Sequence, residues 1–454
     1  MTGAGRPGPL RLQGRARALA LEIAAEIRAE WGYASDVIAR AFRAHRELGS
    51  GDRRRIAETV YGLVRMDRRL HAVVAELVEP ALRGGGEVLS PGTMDELMLV
   101  ALELSEGVPV DAVRADVKRL VRTELDLAAA AEPDAGLGKR SGLERDAVRL
   151  SVPSWLLERL ANDFGPKVAL ELVAAMNERA PLCVRTNTVL GSRDDLIAAL
   201  AEENVQARPG RWSSTAVVLE TRVNAFGLSA FQRGAFEVMD EGSQLVAELV
   251  APPPGGRVLD ACAGAGGKTL AIAAMMGGKG RVLAIDVDGR KLEELRRRAR
   301  RASLSNVAAR PIERDGVVLP PEAKPGAWDR VLVDAPCSGL GTLRRNPEAR
   351  WRLTPNEVGT FPPRQLGLLV SYAPLVAVGG RLIYATCTVL SDENERVIER
   401  FLAERDDFVR MPVKEIWSGA RAKELAQADD GYLRLLPQVH DSDGFFAAVL
   451  RRVK

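Results

Sequence analysis

The chain has 454 residues, which at about 150 residues per domain suggests about three domains. Its 64 Lys and Arg residues against 61 Asp and Glu leave a net charge of +3, which excludes an acidic tail and a histone-like polycation. Four scattered cysteines without a Cys-x-x-Cys pair predict reduced thiols. Because the sequence contains neither a signal-peptide core nor an apolar run of membrane-spanning length, we expect a cytoplasmic protein that does not bind a membrane.

Residues 1–145 are predicted to form an all-helical domain, because apolar side chains recur there at helical spacing. Residues 128–142 are rich in Ala, Gly, Pro and charged residues, which predicts a surface linker. Residues 151–240 begin with two helical stretches, at 155–160 and 168–176, and then alternate short strands with a helix. This pattern predicts a small α+β module.

Residues 241–454 alternate apolar, strand-like runs with helical stretches. Such alternation is typical of a parallel sheet with helices on both faces, and it predicts a Rossmann-like α/β domain. The predicted strands are Arg257–Asp260, Arg281–Asp286, Trp328–Asp334 and Arg381–Thr386. The predicted helices are Lys268–Met276, Arg290–Ser303, Arg364–Val378 and Glu393–Glu404. Two further strands, Tyr432–Leu436 and Phe445–Leu450, are predicted to close the chain around a polar turn.

A glycine-rich segment, Ala261–Thr269, follows the first predicted strand of this domain. It is not a phosphate-binding P-loop, because Cys262 stands where that motif requires its first glycine, and Thr269 occupies the third glycine position of a dinucleotide fingerprint. Asp286 ends the next strand, where a carboxylate can accept both ribose hydroxyls of a nucleoside. We therefore expect a nucleoside ligand without a pyrophosphate. S-adenosylmethionine fits, because nearby acids attract its sulfonium group.

Two cysteines follow predicted strand ends in the same domain. Cys337 stands three residues after Asp334, and Cys387 directly follows the strand that ends at Thr386. Because ligands bind beyond the carboxyl ends of parallel strands, we expect both thiols and Asp334 beside the nucleoside. Carbon 5 of a pyrimidine becomes nucleophilic when a thiolate adds to carbon 6, so this set predicts pyrimidine methylation, with Asp334 at ring nitrogen 3. Spacing alone does not separate the roles of the two thiols.

These motifs resemble those of the Nol/Nop/Sun family of RNA (cytosine-5) methyltransferases, and within it the bacterial Sun or RsmB-like ribosomal RNA enzymes. The segments that carry the resemblance are Asp260–Thr269, Asp334–Gly341, Arg345–Trp351, Tyr384–Leu390 with Glu393 and Asn394, and Asp443–Phe446. Residues Asp52–Gly62 resemble the NusB-like helical domain of RsmB-like enzymes. Asn177–Pro181 and Arg185–Thr188 resemble the family's small module.

The resemblance implies a class I methyltransferase domain that uses S-adenosylmethionine to methylate carbon 5 of a cytosine in RNA, with small-subunit ribosomal RNA as the expected substrate. It implies that Cys387 is the nucleophile and that Cys337 serves product release. Adenine is expected to contact Asp315, and Glu313 is the alternative. The implied cofactor contacts are Cys262, Ala263, Gly264, Ala265, Gly266, Gly267, Lys268, Asp286, Asp315 and Asp334. The family usually has Pro where this chain has Ala265, which loosens the turn and keeps its glycines.

Basic and aromatic side chains beyond Cys337 are the predicted RNA contacts, since Arg binds phosphates and Trp stacks on unpaired bases. They are Arg344, Arg345, Arg350 and Trp351. The basic stretch 290–301 predicts a solvated helix face instead, paired internally by Glu293 and Glu294. We expect no metal and a monomer. A transfer RNA cytosine-5 methyltransferase and a non-catalytic RNA-binding or ribosome assembly factor remain as alternatives.

Overall fold

The computed structural model describes residues 11–83, 89–313, 319–425 and 431–454. The chain forms two compact units. The first comprises Met1–Glu178 together with Leu343–Pro355, and the second comprises Arg179–Thr342 and Asn356–Lys454. None of the helices within the described ranges combines the length and the apolar character that a membrane crossing requires.

The first unit is helical, as predicted. Apolar residues one turn apart, such as Ile23 and Ile27, are buried on the inward face of their helix. The two helical stretches predicted to open the small module also belong to this unit. Its helices are Gly14–Glu30, Ala34–Ala44, Ser50–Arg65, Asp67–Arg83, Pro91–Ser105, Val110–Leu120, Leu127–Ala131, Gly142–Arg149, Ser154–Phe164, Pro166–Met176 and Ala349–Arg352.

Residues 128–142 are mostly exposed, as their composition predicts, but they belong to the first unit and do not join two units. Leu137 is fully buried. Gly136 has a φ of +72° and lies so close to the helix Asp67–Arg83 that a Cβ there would stand 2.5 Å from the backbone nitrogen of Val73. Composition did not reveal this anchoring at Gly136 and Leu137, because small residues occur both in linkers and where two backbone segments approach closely.

Replacing Gly136 by Ala should destabilise the first unit by more than about 2 kcal/mol, because steric overlap with Val73 adds to the cost of a left-handed alanine. Gly138→Ala is the matched control. Gly138 also has a positive φ, +50°, but a Cβ there would meet only the end of the flexible Arg140 side chain at 3.7 Å. Its expected cost is about 1 kcal/mol. Denaturant unfolding measures both, and equal losses would contradict the close packing at Gly136.

The second unit begins with a four-stranded antiparallel sheet in the order β2-β3-β1-β4. Its strands are β1 (Leu182–Thr186), β2 (Ala207–Pro209), β3 (Ala216–Leu219) and β4 (Phe236–Val238). Val184 and Val217 from this sheet share a buried cluster with Leu196 and Leu200 of the helix Arg193–Glu202. A short helix, Ser229–Gln232, completes the small α+β module that the sequence predicts.

The larger sheet has the strand order β10-β12-β9-β8-β5-β6-β7, with β11 paired to β12. The strands from β5 to β9 are parallel neighbours, and β12 is antiparallel to β9 and β10. The strands are β5 (Arg257–Asp260), β6 (Arg281–Asp286), β7 (Val307–Pro311), β8 (Trp328–Asp334), β9 (Val376–Thr386), β10 (Phe408–Met411), β11 (Leu433–Leu435) and β12 (Phe445–Arg452).

Three predicted strands, β5, β6 and β8, have the predicted bounds. The fourth differs, because β9 begins at Val376 where a helix was predicted to continue to Val378. The helix Phe361–Tyr372 ends before a short 3-10 turn that contains Pro374, which has no amide hydrogen to continue the helical bonds.

Helices cover both faces of the larger sheet, and two buried apolar clusters fill the space between them. The helices are Glu241–Leu249, Gly267–Met275, Gly289–Arg301, Pro355–Val358, Phe361–Tyr372, Glu395–Glu404, Gly419–Leu425 and Pro437–His440. The strand order changes direction between β5 and β8. In open α/β sheets this point forms a crevice beyond the carboxyl ends of the strands, where Asp260 and Asp334 stand.

Candidate active site

The loop between β5 and the following helix is a tight turn that depends on glycine. Gly264 and Gly266 have positive φ values of +53° and +86°. A Cβ at Gly266 would lie 2.5 Å from Cγ of Leu295, so no larger residue fits without a shift. A Cβ at Gly264 or Gly267 would meet no atom within 4 Å. The loop therefore leaves open space directly beside its backbone.

Asp286, the last residue of β6, is bound to this loop. Its Oδ2 accepts a hydrogen bond from the backbone nitrogen of Gly264 at 2.8 Å, and its Oδ1 accepts one from that of Asp288 at 2.8 Å. The structure thus brings two predicted cofactor contacts together. Asp315 lies outside the described residues, and Glu313 is exposed just after β7. The choice between them stays a prediction.

Three carboxylates and one ammonium group meet at this edge of the sheet. Asp260 is 1% exposed, and its Oδ2 accepts a hydrogen bond from the Thr269 hydroxyl at 2.6 Å. Burial raises the pKa of Asp260 to about 7, and the charges of Asp334 and Asp286 add to this rise. Asp334 is paired with Lys268, whose Nζ donates to Oδ2 at 2.7 Å. The cluster therefore holds an excess of negative charge.

The two cysteines expected at the strand ends lie side by side. Cys337 and Cys387 follow the adjacent parallel strands β8 and β9, and their sulfur atoms are 3.4 Å apart. The hydrogen bond to Cys387 and burial raise the pKa of Cys337. Burial lowers the pKa of Lys268, but Asp334 and the nearby Cys387 outweigh this effect and raise it. A charged Lys268 therefore lies near Cys387.

Sequence reasoning missed Arg298, which it assigned to a solvated helix face. Arg298 donates a hydrogen bond to the carbonyl oxygen of Ala265 at 2.7 Å and pairs with the buried Glu237 of β4 at 3.0 Å. Arg298 thereby links the glycine loop to β4. The available signal was spacing, since Arg298 lies one turn after the buried Leu295. Elsewhere on the helix the predicted pairs form, namely Arg296 with Glu293 and Arg297 with Glu294.

The predicted RNA contacts lie in the segment Leu343–Pro355, which packs within the first unit. Arg350 is fully buried, and its guanidinium donates to the carbonyl oxygen of Ser151 at 3.0 Å and to Oδ1 of Asn177 at 2.7 Å. A buried and hydrogen-bonded guanidinium cannot reach a phosphate, so the prediction for Arg350 was wrong.

The other three predicted RNA contacts differ in exposure. Trp351 donates its indole N–H to the carbonyl oxygen of Val64 at 2.8 Å, and its ring lies 5.8 Å from that of Trp31. Arg344 is 5% exposed, and Arg345 is half-buried. Among these, Arg345 stays the predicted RNA contact with the most accessible charge.

Arg350→Ala should destabilise the first unit by about 2–4 kcal/mol, because it leaves two buried acceptors, on Ser151 and Asn177, without their donor. Arg352→Ala is the control, since Arg352 stacks over the exposed ring of Tyr33 at 4.4 Å. Its expected loss is below about 1 kcal/mol. Denaturant unfolding gives both values. A stable Arg350→Ala protein with weakened RNA binding would restore the original prediction.

Comparisons with known proteins agree with this geometry. A family model described as 16S rRNA methyltransferase RsmB/F matches residues 247–451, and one described as the ferredoxin-like domain of RsmF/B-like methyltransferases matches residues 152–225. A probable ribosomal RNA small subunit methyltransferase B from Synechocystis sp. is 33% identical over 460 residues, which cover 96% of this chain and 99% of the relative. The ribosomal RNA small subunit methyltransferase B of Pseudomonas putida is 35% identical over 327 residues, 69% of each chain.

The chain belongs to the RsmB/F family of 16S rRNA methyltransferases. The solved structure of the protein PH0851 is similar over 97% of this chain and 100% of that one, with 26% identity and a TM-score of 0.77. Family membership confirms the resemblance seen in the sequence and makes the protein an S-adenosylmethionine-dependent RNA methyltransferase.

The family match and the division into compact units place the start of the small module at different residues. The family match to the ferredoxin-like domain begins at residue 152, close to the predicted start at residue 151. The compact units instead divide after Glu178. The three predicted domain ranges therefore stay a prediction. Among the described residues, no group of three or more His, Cys, Asp or Glu side chains is arranged to hold a metal ion.

Proposed function

We propose that this RsmB/F family member methylates carbon 5 of a cytosine in small-subunit ribosomal RNA through a covalent bond between Cys387 and the base. The observation that carries the proposal is the placement of the Cys337 and Cys387 sulfur atoms 3.4 Å apart, next to the Lys268–Asp334 ion pair. Methylation of a poorly nucleophilic carbon needs covalent activation, which a thiol provides. The relatives named ribosomal RNA small subunit methyltransferase B support this substrate.

The residues around the glycine loop fit S-adenosylmethionine. Space beside Gly264 and Gly267 admits a ligand to the backbone, and the acids Asp260, Asp286 and Asp334 favour a cation and disfavour a phosphate. We propose that the loop from Cys262 to Lys268 and the carboxylates of Asp286 and Asp334 hold the cofactor, with Asp286 at the ribose hydroxyls. When bound, S-adenosylmethionine supplies an electrophilic methyl group.

In the proposed mechanism, Cys387 and the ion pair activate the base. The Cys387 sulfur, as a thiolate, forms a bond to carbon 6 of the cytosine, and the displaced electron pair makes carbon 5 nucleophilic. Asp334, at the same strand edge, passes the proton released by the Cys387 thiol to ring nitrogen 3, where negative charge develops, and then accepts a hydrogen bond from that N–H. A fixed Lys268–Asp334 pair therefore orients the ring while the sulfur adds.

Release needs a second group, and Cys337 is placed to provide it. After methylation the proton on carbon 5 must leave, so that the electron pair of the C–H bond can restore the ring double bond and expel the Cys387 sulfur. Cys337 lies in contact with that sulfur, and in its thiolate form it can accept the carbon 5 proton while the Cys387 sulfur leaves as a thiolate.

Bisulfite sequencing tests the substrate. Ribosomal and transfer RNA would be sequenced from cells with the protein, without it, and with Cys387→Ala in its place. We expect one cytosine of small-subunit ribosomal RNA to resist conversion only in cells with the unchanged protein. Protection of a transfer RNA cytosine instead would establish the transfer RNA alternative. No change at any cytosine would overturn the proposed methylation and favour a non-catalytic assembly role.

The cysteine roles predict opposite phenotypes. Cys387→Ala should abolish methyl transfer, because it removes the thiol proposed to add to carbon 6. Cys337→Ala should instead accumulate a protein–RNA adduct that survives denaturing electrophoresis, because the bond to Cys387 forms and is not released. Cys183→Ala is the control, since Cys183 is buried in the small sheet. An adduct formed by the Cys387→Ala protein, and not by the Cys337→Ala protein, would reverse the assignment.

A further inference from the structure

A buried carboxylate behind the two cysteine loops takes no part in the proposed mechanism. Glu393 is 0% exposed and ends a short 3-10 turn just before the helix Glu395–Glu404. Carboxylates are rarely this buried unless their oxygens are hydrogen-bonded, because desolvation of the charge is costly. The same burial raises the pKa of Glu393. Movement of any group that donates a hydrogen bond to these oxygens would therefore cost folding free energy.

The loop that carries Cys337 is held by both oxygens of Glu393. The backbone nitrogen of Ser338 donates to Oε2 at 2.9 Å, and the Ser338 hydroxyl donates to Oε1 at 2.5 Å. Gln365 donates from its Nε2 to Oε2 at 3.0 Å and to the carbonyl oxygen of Pro336 at 3.1 Å. The residues on both sides of Cys337 are thus fixed, one directly and one through Gln365.

The loop that carries Cys387 is joined to the same turn. Thr388, the next residue after Cys387, has its Oγ1 2.9 Å from the Ser338 hydroxyl and accepts at its carbonyl a bond from Asn394 at 3.1 Å. Thr386, the residue before Cys387, donates its hydroxyl to Oδ1 of Asn394 at 2.6 Å. Flanking residues of both cysteines therefore bind one dipeptide, Glu393 and Asn394.

We propose that Glu393 is a positioning residue that keeps the Cys337 and Cys387 thiols next to each other for methylation. The inference rests on the proposed function, in which Cys387 adds to the base and Cys337 completes release. Displacement of the Cys337 loop would leave a buried carboxylate without its donors, so the network resists movement. Glutamine at position 393 would place an NH2 group at one of the two oxygen positions, so it could not accept from both the backbone N–H and the hydroxyl of Ser338.

The rate of adduct formation measures this positioning. In a Cys337→Ala background, which traps the adduct, Glu393→Gln should slow trapping at saturating RNA at least about tenfold, because small misplacements of reacting atoms are costly. The RNA concentration at half-maximal rate should change much less. Asp392→Asn is the matched control, since Asp392 is the preceding acid and pairs with Arg396. It should leave the rate unchanged.

A trivalent arsenical, phenylarsine oxide, gives a readout of the distance between the thiols that does not depend on RNA. It binds tightly only when two sulfur atoms can bridge one arsenic. We expect the protein with both cysteines to bind it at one equivalent, and Glu393→Gln to weaken that binding at least about tenfold, whereas Asp392→Asn should not. A merely structural role would lower the melting temperature without changing arsenical affinity in the folded protein.

The trapping and arsenical experiments distinguish failure of the Glu393 proposal from failure of the covalent mechanism. Unchanged trapping and unchanged arsenical binding in folded Glu393→Gln protein would overturn the role of Glu393. Absence of any adduct from the Cys337→Ala protein would overturn the covalent mechanism instead, and the arsenical result would still decide whether Glu393 positions the thiols. If Glu393→Gln does not fold, Glu393→Asp and Ser338→Ala, which shorten or remove one contact each, provide the same comparison.

Discussion

The architecture of the second unit depends on three carboxylates that are held together at one edge of its parallel sheet. Asp260, Asp286 and Asp334 end three strands, and each accepts a specific hydrogen bond, from a hydroxyl, a backbone amide and an ammonium group respectively. Like charges at this spacing disfavour ionisation, and after burial they contribute to the pKa of about 7 at Asp260. The turn of the glycine loop and the position of Lys268 beside the cysteines both follow from where these acids are anchored.

Residues tied to strand ends could be predicted from the sequence alone. Asp286, Asp334, Cys337 and Cys387 were found because apolar runs locate the strands, and parallel topology brings their carboxyl ends to one edge. Arg350 could not be placed in this way, since a basic residue beside an aromatic one has the same pattern whether it is exposed or buried. Its partners lie far away in the sequence and become visible only in the folded unit.

Polar networks in the second unit are equally hard to predict from the sequence. Glu393 and Arg298 each stand in a stretch whose sequence suits a solvated surface, and each is drawn inward by groups from other elements. Glu393 is linked to the cysteine loops, and Arg298 is linked to the glycine loop. The side chains in direct reach of the chemistry follow the strand pattern, whereas those that hold them in place depend on tertiary contacts. Glu393 and Asn394 stand in one of the family motifs, but only the folded unit shows which groups they hold.

The assignment of Leu343–Pro355 to the first unit has a consequence for synthesis of the chain. All helices of that unit except Ala349–Arg352 end by Met176, yet the buried partner of Ser151 and Asn177 is Arg350, about 170 residues beyond Glu178. At roughly 5–20 residues per second, a ribosome needs about 10–30 s to make that stretch. During this interval the nascent helical unit lacks one of its buried contacts. Completion of the amino-terminal fold therefore waits for the carboxyl-terminal half of the chain.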